Sequence, residues 1–396
     1  MLRFCALAVA LSAATPALAK DILVEAGPNA QERLQSALLD ARPGDTVRIG
    51  AGRFELTDGL SLDVNGVTVR GAGADKTVLS FKGQLGAGEG LLVTSDDVVL
   101  RDFAVEDSKG DGIKSKGADR IVYKNVRVEW TGGPKATNGA YGVYPVESTD
   151  VLIDSVTVKG ASDAGIYVGQ SNRIIVRNST AMYNVAGIEI ENSGAAEVTN
   201  NLATHNTGGI LVFDLPALPV RGAGWITVRG NRVIDNDTPN FAPPGNIVAT
   251  VPTGTGVLVM AENDVTVVGN ELSGNGTANI MVVAYRQPFD DKGYDPYPRN
   301  IRIAGNKHGR AGFTPAMPGG AELAKALGGT LPPIFWDGTG GDRVRLSGND
   351  APVLTLGLAL GAGIETAKPQ ILKLVDEIPP PWPVIKFSAA MEAAAQ

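Results

Sequence analysis

A short apolar phrase recurs through the middle of the chain, and the rest of the sequence is read around it. Each copy is a Gly, then an aliphatic residue, then alternating positions. It appears as Gly112-Ile113-Lys114-Ser115-Lys116, Gly142-Val143-Tyr144-Pro145-Val146 and Gly165-Ile166-Tyr167-Val168-Gly169. It returns as Gly187-Ile188-Glu189-Ile190-Glu191, Gly209-Ile210-Leu211-Val212-Phe213 and Gly256-Val257-Leu258-Val259-Met260, with Asn279-Ile280-Met281-Val282-Val283 a degenerate last copy. From Gly142 through Gly165 and Gly187 to Gly209 the steps are 23, 22 and 22 residues. A constant step in this range marks a repeat architecture.

A second phrase runs out of phase with the first. It is rich in β-branched residues and closes on Asn, as in Ile174-Ile175-Val176-Arg177-Asn178 and Val265-Thr266-Val267-Val268-Gly269-Asn270. Two or three short strands fit in about 22 residues, at roughly 3.3 Å per residue. No helical period separates them, which argues against βαβ units. The fold predicted is all-β: a parallel β-helix with one coil per repeat.

Alternation then assigns faces. Ile113, Val143, Ile166, Ile188, Ile210, Val257 and Ile280 form an aliphatic inward column. The outward column reads Lys114, Tyr144, Tyr167, Glu189, Leu211, Leu258 and Met281. Two residues on, a parallel outward column reads Lys116, Val146, Gly169, Glu191, Phe213, Met260 and Val283. With coils about 4.8 Å apart, Lys114 to Glu189 spans roughly 14 Å, the reach of two or three sugar rings.

The ends and interruptions complete the layout. Residues 29–41 carry Leu34, Ala37 and Leu38 at helical spacing, with Asn29 as the expected cap; this helix is expected to cover the open end of the solenoid. Long excursions fall at 131–139, 214–224, 237–255 and 286–299, and insertions of this kind become loops on one face. From residue 311 the repeat fades. A short helix is expected at 321–327, one more coil at 344–349, and an extended tail around Pro379-Pro380-Pro381-Trp382-Pro383 with frayed last residues. The division expected is 1–19 signal peptide, 20–66 cap and first strands, 67–310 coils, and 311–396 C-terminal coil and tail.

Composition changes this picture in three places. Fifty Gly and few aromatics among 396 residues suit many tight corners. A net charge of −7 speaks against nucleic acid as a partner. The N-terminus, with Arg3, an apolar run and Ala17-Leu18-Ala19, reads as a secretory signal cleaved before Lys20, placing the mature protein in the periplasm or outside the cell. The apolar run is too short to span a membrane. Cys5, the single cysteine, lies within it, so cleavage leaves no thiol.

With these residues in view, the chain resembles the right-handed parallel β-helix of pectate lyases and related polysaccharide lyases, hydrolases and epimerases. The helix followed by PGDTVRIGAGRFEL at residues 43–56 resembles the usual N-terminal opening of that fold. Residues 90–193 more narrowly resemble an uncharacterised bacterial family of exported parallel β-helix repeat proteins, which carries no activity over. The resemblance covers residues 20–310. It implies the fold, whereas one fold hosts many chemistries. The Asp-Pro-His-Asp signature of alginate epimerases has no counterpart, since Asp295-Pro296-Tyr297-Pro298 lacks the His, and the paired aspartates of β-helical pectin hydrolases are not found.

On the residues themselves, the outward face reads as a carbohydrate groove. Lys114, Tyr144, Tyr167 and Glu189 are the candidate catalytic residues: lysine to neutralise a uronate carboxylate, tyrosine or glutamate as acid or base. Lys116, Glu191, His205, Phe213 and Asp214 are candidate substrate-binding residues, with His205 also a candidate lone base. No cofactor is required, although Glu189, Glu191 and Asp214 offer oxygen ligands for Ca²⁺. The plainer reading is a solvated charged face on a structural solenoid. The recurrent Asn residues read as turn formers, and Asp111 and Asp163 as turn carboxylates. The two functions in contention are a lyase or epimerase acting on an acidic polysaccharide, and a non-catalytic binding or scaffold protein assisting a protein partner.

Overall fold

The computed structural model describes residues 19–86, 88–346, 351–372 and 384–396. The signal-peptide residues before Ala19, the second half of the expected coil at 344–349 and the Pro379–Pro383 run lie outside the described residues.

Among the described residues, three strands per coil stack into three long sheets. The first sheet has twelve strands, from Asp21–Val24 to Val344–Arg345. The second has ten, from Gly52–Glu55 to Lys307–His308. The third has twelve, from Leu60–Leu62 to Gln370–Leu372. Pairing is parallel throughout except at the last strand of the third sheet, where Leu354 faces Ile371 across an antiparallel pair. Parallel in-register stacking brings each coil's side chains over those of the coil before, so a sequence column becomes a physical one.

The aliphatic column is where alternation placed it. Ile113 pairs with Val143, Val143 with Ile166, Ile166 with Ile188 and Ile188 with Ile210, and all are fully buried. It continues through Val257 and Ile280 to Ile334 and Val353, so the repeat outlasts residue 311. Similar columns from the other two sheets close a single core.

The corners explain both the Gly and the Asn. Asn184, Asn206, Asn236 and Asn275 form one buried ladder, each side-chain amide donating to the next carbonyl oxygen at 3.0–3.1 Å. Asn201, Asn231, Asn270 and Asn306 form a second, at 2.9–3.0 Å. The first ladder packs on the Gly column: a Cβ at Gly187 would lie 2.8 Å from Asn206 Nδ2 and 2.5 Å from the Gly209 carbonyl. No side chain fits between coil and ladder, which fixes Gly at that step.

The N-terminal helix spans Ala30–Asp40 and buries Leu34, Ala37 and Leu38 against the first coils, as expected of a cap. Asn29 does not cap it through its side chain; it turns the chain in the left-handed region instead. A strand at Asp21–Val24 precedes the helix and covers the sheet edge at Thr46–Ile49, an element the sequence reading passed over. The C-terminal end is not frayed. A helix at Ala389–Ala394 lays Met391 on Val122, Leu152 and Ile175 of the first sheet, and Glu392 pairs with Arg177 at 2.9 Å.

Candidate functional site

The outward column is also in register. Lys114 lies beside Tyr144, and Tyr167 beside Glu189, which is followed by Leu211. The third sheet thus carries the candidate residues on one ladder, but not as an open groove. Tyr167 is 3% exposed and Glu189 1%, with Glu191, Phe213 and Asp214 also buried. The expectation of a solvent-exposed ladder is corrected. The cover comes from the insertions, whose side chains build a second apolar cluster outside the coil.

The main cover is the insertion 237–255. Its Val248 and Val251 are buried in the outer cluster, and Asn246 donates to Asp163 Oδ2 at 2.9 Å. The insertion 131–139 is pinned at a corner, where Asn138 donates to the Gly160 carbonyl at 2.6 Å. The insertions 214–224 and 286–299 clamp one another: Tyr294 donates to the Asp214 carbonyl at 2.5 Å and Arg221 pairs with Asp291 at 2.5 Å.

Three tyrosines meet beneath this cover. Tyr141 lies 4.5 Å, centroid to centroid, from both Tyr144 and Tyr167, and Tyr144 meets Tyr167 edge-on at 4.9 Å. The Tyr167 phenol donates to Glu191 Oε1 at 2.7 Å. This reach depends on Gly169, which stands beside Glu191 in the register: a Cβ there would come 2.2 Å from the Tyr167 oxygen. The ring therefore occupies the space of the side chain that Gly169 lacks.

Carboxyls crowd the same place. Glu189 and Glu191 project from the same face of one strand; neither Glu189 oxygen accepts a hydrogen bond among the described residues, and the two carboxyls are close enough to share a proton. Burial pushes Glu189 well above the ordinary carboxylate range, with Asp163 and Glu191 adding to the rise. Burial, then the charge of Glu191, pushes Asp163 up to about 7. Glu191 is raised by burial as well, with the Tyr167 hydrogen bond opposing the rise. Burial raises Asp111 to about 6, against the pull of Lys114. Burial and the neighbouring carboxylates also hold the Tyr141 and Tyr167 phenols protonated, so Tyr167 is a proton donor here and not a base.

Lys114 closes the N-terminal end of the ladder. Its ammonium lies 4.9 Å from the Tyr144 ring centre and 3.3 Å from Glu89, with Asp111 at 3.9 Å. Its charge is therefore already answered. Lys116 stands apart, exposed and 3.6 Å from Glu147.

The remaining candidates are not brought to this cluster. His205 stacks on Tyr183 at a corner and meets Asp237 at 2.9 Å. Phe213 is part of the apolar floor further along the sheet. Asp214 accepts from Asn192 and from the Gly222 backbone at 2.8 and 2.9 Å, and burial raises it to about 6. Among the described residues no three His, Cys, Asp or Glu side chains stand together as a metal site, so the Glu189–Glu191–Asp214 set for Ca²⁺ is corrected. Sequence reasoning missed Tyr141, Asp163, Asn246 and Gly169 as members of the site. Reading the residue before each phrase Gly as a further column would have found Tyr141, which faces Ala164 and, beyond it, Ala186. Nothing local in the sequence marks Asn246.

Comparison with known proteins places the architecture. Residues 63–223 match the family described as right handed beta helix region. No curated protein matches the sequence. Among solved structures, the A-module of the mannuronan C-5 epimerase AlgE4 from Azotobacter vinelandii is similar with a TM-score of 0.58 and 16% identity, covering 86% of this chain and 95% of that one. The A-module of AlgE6 from the same organism gives 0.57 and 16%, covering 85% and 95%. The DFA-IIIase of Arthrobacter chlorophenolicus gives 0.50 and 11%, covering 84% and 94%. Identities this low speak for fold alone, and they agree with the three parallel sheets and the stacked inward columns: the chain is a right-handed parallel β-helix protein.

Proposed function

We propose that this is an exported β-helix protein that binds an acidic polysaccharide and acts on it, as a lyase or epimerase, at the tyrosine–carboxyl cluster. The observation that carries this reading is Glu189: a fully buried carboxyl that accepts no hydrogen bond among the described residues and whose neighbour for a shared proton is another raised carboxyl, Glu191, with Asp163 and the tyrosines close by. Such a group is costly to keep unless a ligand completes it. Kept neutral, it can donate a hydrogen bond to a uronate carboxylate, as protonated acids in apolar sites do. The tyrosine faces offer a platform for sugar rings.

In this reading Asp163, whose carboxyl is pushed up to about 7 by burial and the charge of Glu191, removes the proton from the carbon next to the uronate carboxyl. The electron pair moves into the carboxyl group, where protonated Glu189 stabilises the added charge by donating a hydrogen bond. A lyase then breaks the bond between the neighbouring carbon and the glycosidic oxygen, which leaves with the proton of the Tyr167 phenol. An epimerase instead delivers the Tyr167 proton to the same carbon from the opposite ring face. Entry requires the insertion 237–255 to lift, releasing Asn246 from Asp163. Mannuronan C-5 epimerase modules share the fold, which makes uronate polymers the first substrates to try.

Export is supported at the other end of the chain. The Lys20 backbone nitrogen lies 2.8 Å from Asp45 Oδ1. Cleavage after Ala19 would place the new α-ammonium on a ready carboxylate. N-terminal sequencing of the protein from a periplasmic or secreted fraction should begin at Lys20, and an intact Met1 in the cytoplasm would sink this part.

The activity test is incubation with a panel of uronate polysaccharides, with ultraviolet absorbance read for unsaturated products and sugar configuration read by proton NMR. Either change, lost in Asp163→Asn, supports the reading. No change in absorbance or configuration with any polymer leaves the second reading, a non-catalytic binding or scaffold protein. The depth at which Tyr167 and Glu189 are covered is the observation that favours it.

A further inference from the structure

Further along the third sheet the outward column changes character. After Glu189 it runs Leu211, Leu258, Met281 and Phe335, all apolar and all in register. Beyond Leu211 this column is the floor of a cavity of about 430 Å³. Val251 of the insertion 237–255 lines it as well, with Met317 and Leu323, the latter on the short helix Gly320–Ala326. Floor and walls come from segments far apart in sequence, so the space is a built pocket and not a gap between adjacent coils. Its volume falls within the range of about 300–1,000 Å³ typical of ligand sites.

The lining sets the chemistry of an occupant. The floor offers no side-chain donor or acceptor, so a sugar placed there would lose its hydrogen bonds to water without replacement. The charged groups at the rim are already engaged. Asp337 accepts from the Ala284 backbone at 2.9 Å and from Thr339 at 2.9 and 2.5 Å, and it pairs with Arg286 at 3.3 Å. The pocket therefore presents an apolar floor and no unbalanced charge, with Thr250, Tyr285 and Gln287 as the uncharged polar groups elsewhere in its lining. Methionines on both floor and wall suit a flexible chain, because their unbranched side chains adapt to irregular shapes.

We propose that this pocket is a second binding site, independent of the tyrosine–carboxyl cluster, which takes an uncharged hydrocarbon chain such as the acyl or alkyl group of an amphiphile. The chain lies on Leu258, Met281 and Phe335, with its polar end outside.

The test uses the full mature protein and the fluorescent polyene fatty acid cis-parinaric acid, displaced by unlabelled 1-dodecanol. Saturable binding to one site, competed by dodecanol, is expected. Met317→Trp and Leu323→Trp fill the pocket from its half-buried wall and should weaken binding at least about tenfold while circular dichroism and the melting temperature stay unchanged. Tyr167→Phe should bind as the parent does, which separates this site from the proposed polysaccharide site. Dodecyl glucoside serves as a third ligand: displacement at lower concentration than dodecanol assigns the chain to a glycan-borne substituent, and equal or weaker displacement assigns it to a free lipid. No saturable binding, or unchanged binding in both folded filling variants, overturns the proposal.

Discussion

Gly169→Ala tests the construction of the tyrosine–carboxyl site with a single methyl group. The added Cβ would fall 2.2, 2.4 and 2.6 Å from Oη, Cε1 and Cζ of Tyr167, inside any tolerable contact. The ring cannot shift by a few tenths of an ångström, since Tyr141 and Tyr144 hold its other side at 4.5 and 4.9 Å between centroids. Displacement breaks the bond to Glu191, worth about 1–3 kcal/mol, and loosens two aromatic pairs worth about 0.5–1.5 kcal/mol each. Against this, the lower entropy of an unfolded chain with Ala in place of Gly returns about 0.4–1 kcal/mol. The expected net effect is a loss of about 2–4 kcal/mol. Equilibrium urea unfolding, followed by tyrosine fluorescence and circular dichroism, measures it. The decisive arm repeats the change in a Tyr167→Ala background, where no ring remains to displace. There Gly169→Ala should be neutral or slightly stabilising. An equal loss in both backgrounds would refute the packing argument and point to the backbone at residue 169.

Three further outcomes follow. Asp163 has its carboxyl raised from 3.8 to about 7 in the folded protein, so the folded state binds more protons than the unfolded one and stability falls as pH rises between about 4 and 7. Asp163→Asn should flatten this slope in melting temperature against pH, and an unaltered slope would count against it. Asn206→Ala removes a rung bonded to Asn236, Ala181 and Thr204 at 3.0–3.2 Å, leaves buried partners unsatisfied, and should cost about 2–4 kcal/mol in urea unfolding; a loss under about 0.5 kcal/mol would show that the ladder is ornamental. If Tyr167 donates a proton during turnover, Tyr167→Phe should lower kcat about 10²-fold with KM little changed; a silent Phe with a weakened Tyr167→Ala would reduce the ring to a platform.

Much of the fold was legible because a solenoid repeats one local problem. The step from Gly to Gly gave the coil, and alternation gave the column from Ile113 to Ile280. The role of Asn206 as a turn former followed from residue type alone. Where the reading went astray, tertiary contacts overruled local chemistry. Asn29 looks like a cap, yet the chain bends into the left-handed region there and leaves its side chain unbonded to the helix. The last residues look like a loose end, yet Met391 and Ala395 find the apolar patch of Val122, Leu152 and Ile175. The strand Asp21–Val24 is too short for its alternation to stand out, and it is set by pairing with Thr46–Ile49.

The candidate site marks a sharper division. Register is a property of the repeat, so sequence alone could align Lys114, Tyr144, Tyr167 and Glu189. Burial is a property of whatever lies on top, and that is supplied by insertions with no period. Asn246 reaches Asp163 across 83 residues of sequence, and the apolar residues next to it seal the ladder. Burial in turn is the largest cause of every raised carboxyl in the cluster, so the insertion determines the proton state of residues the repeat positions. The same outward column is a polar, acid-rich site in one half and an apolar cavity floor in the other, with the insertion 237–255 touching both. Two β-helices with identical coil patterns could therefore differ wholly in chemistry. In this chain the lengths and contacts of the insertions, more than the ladder itself, set the surroundings of the outward column.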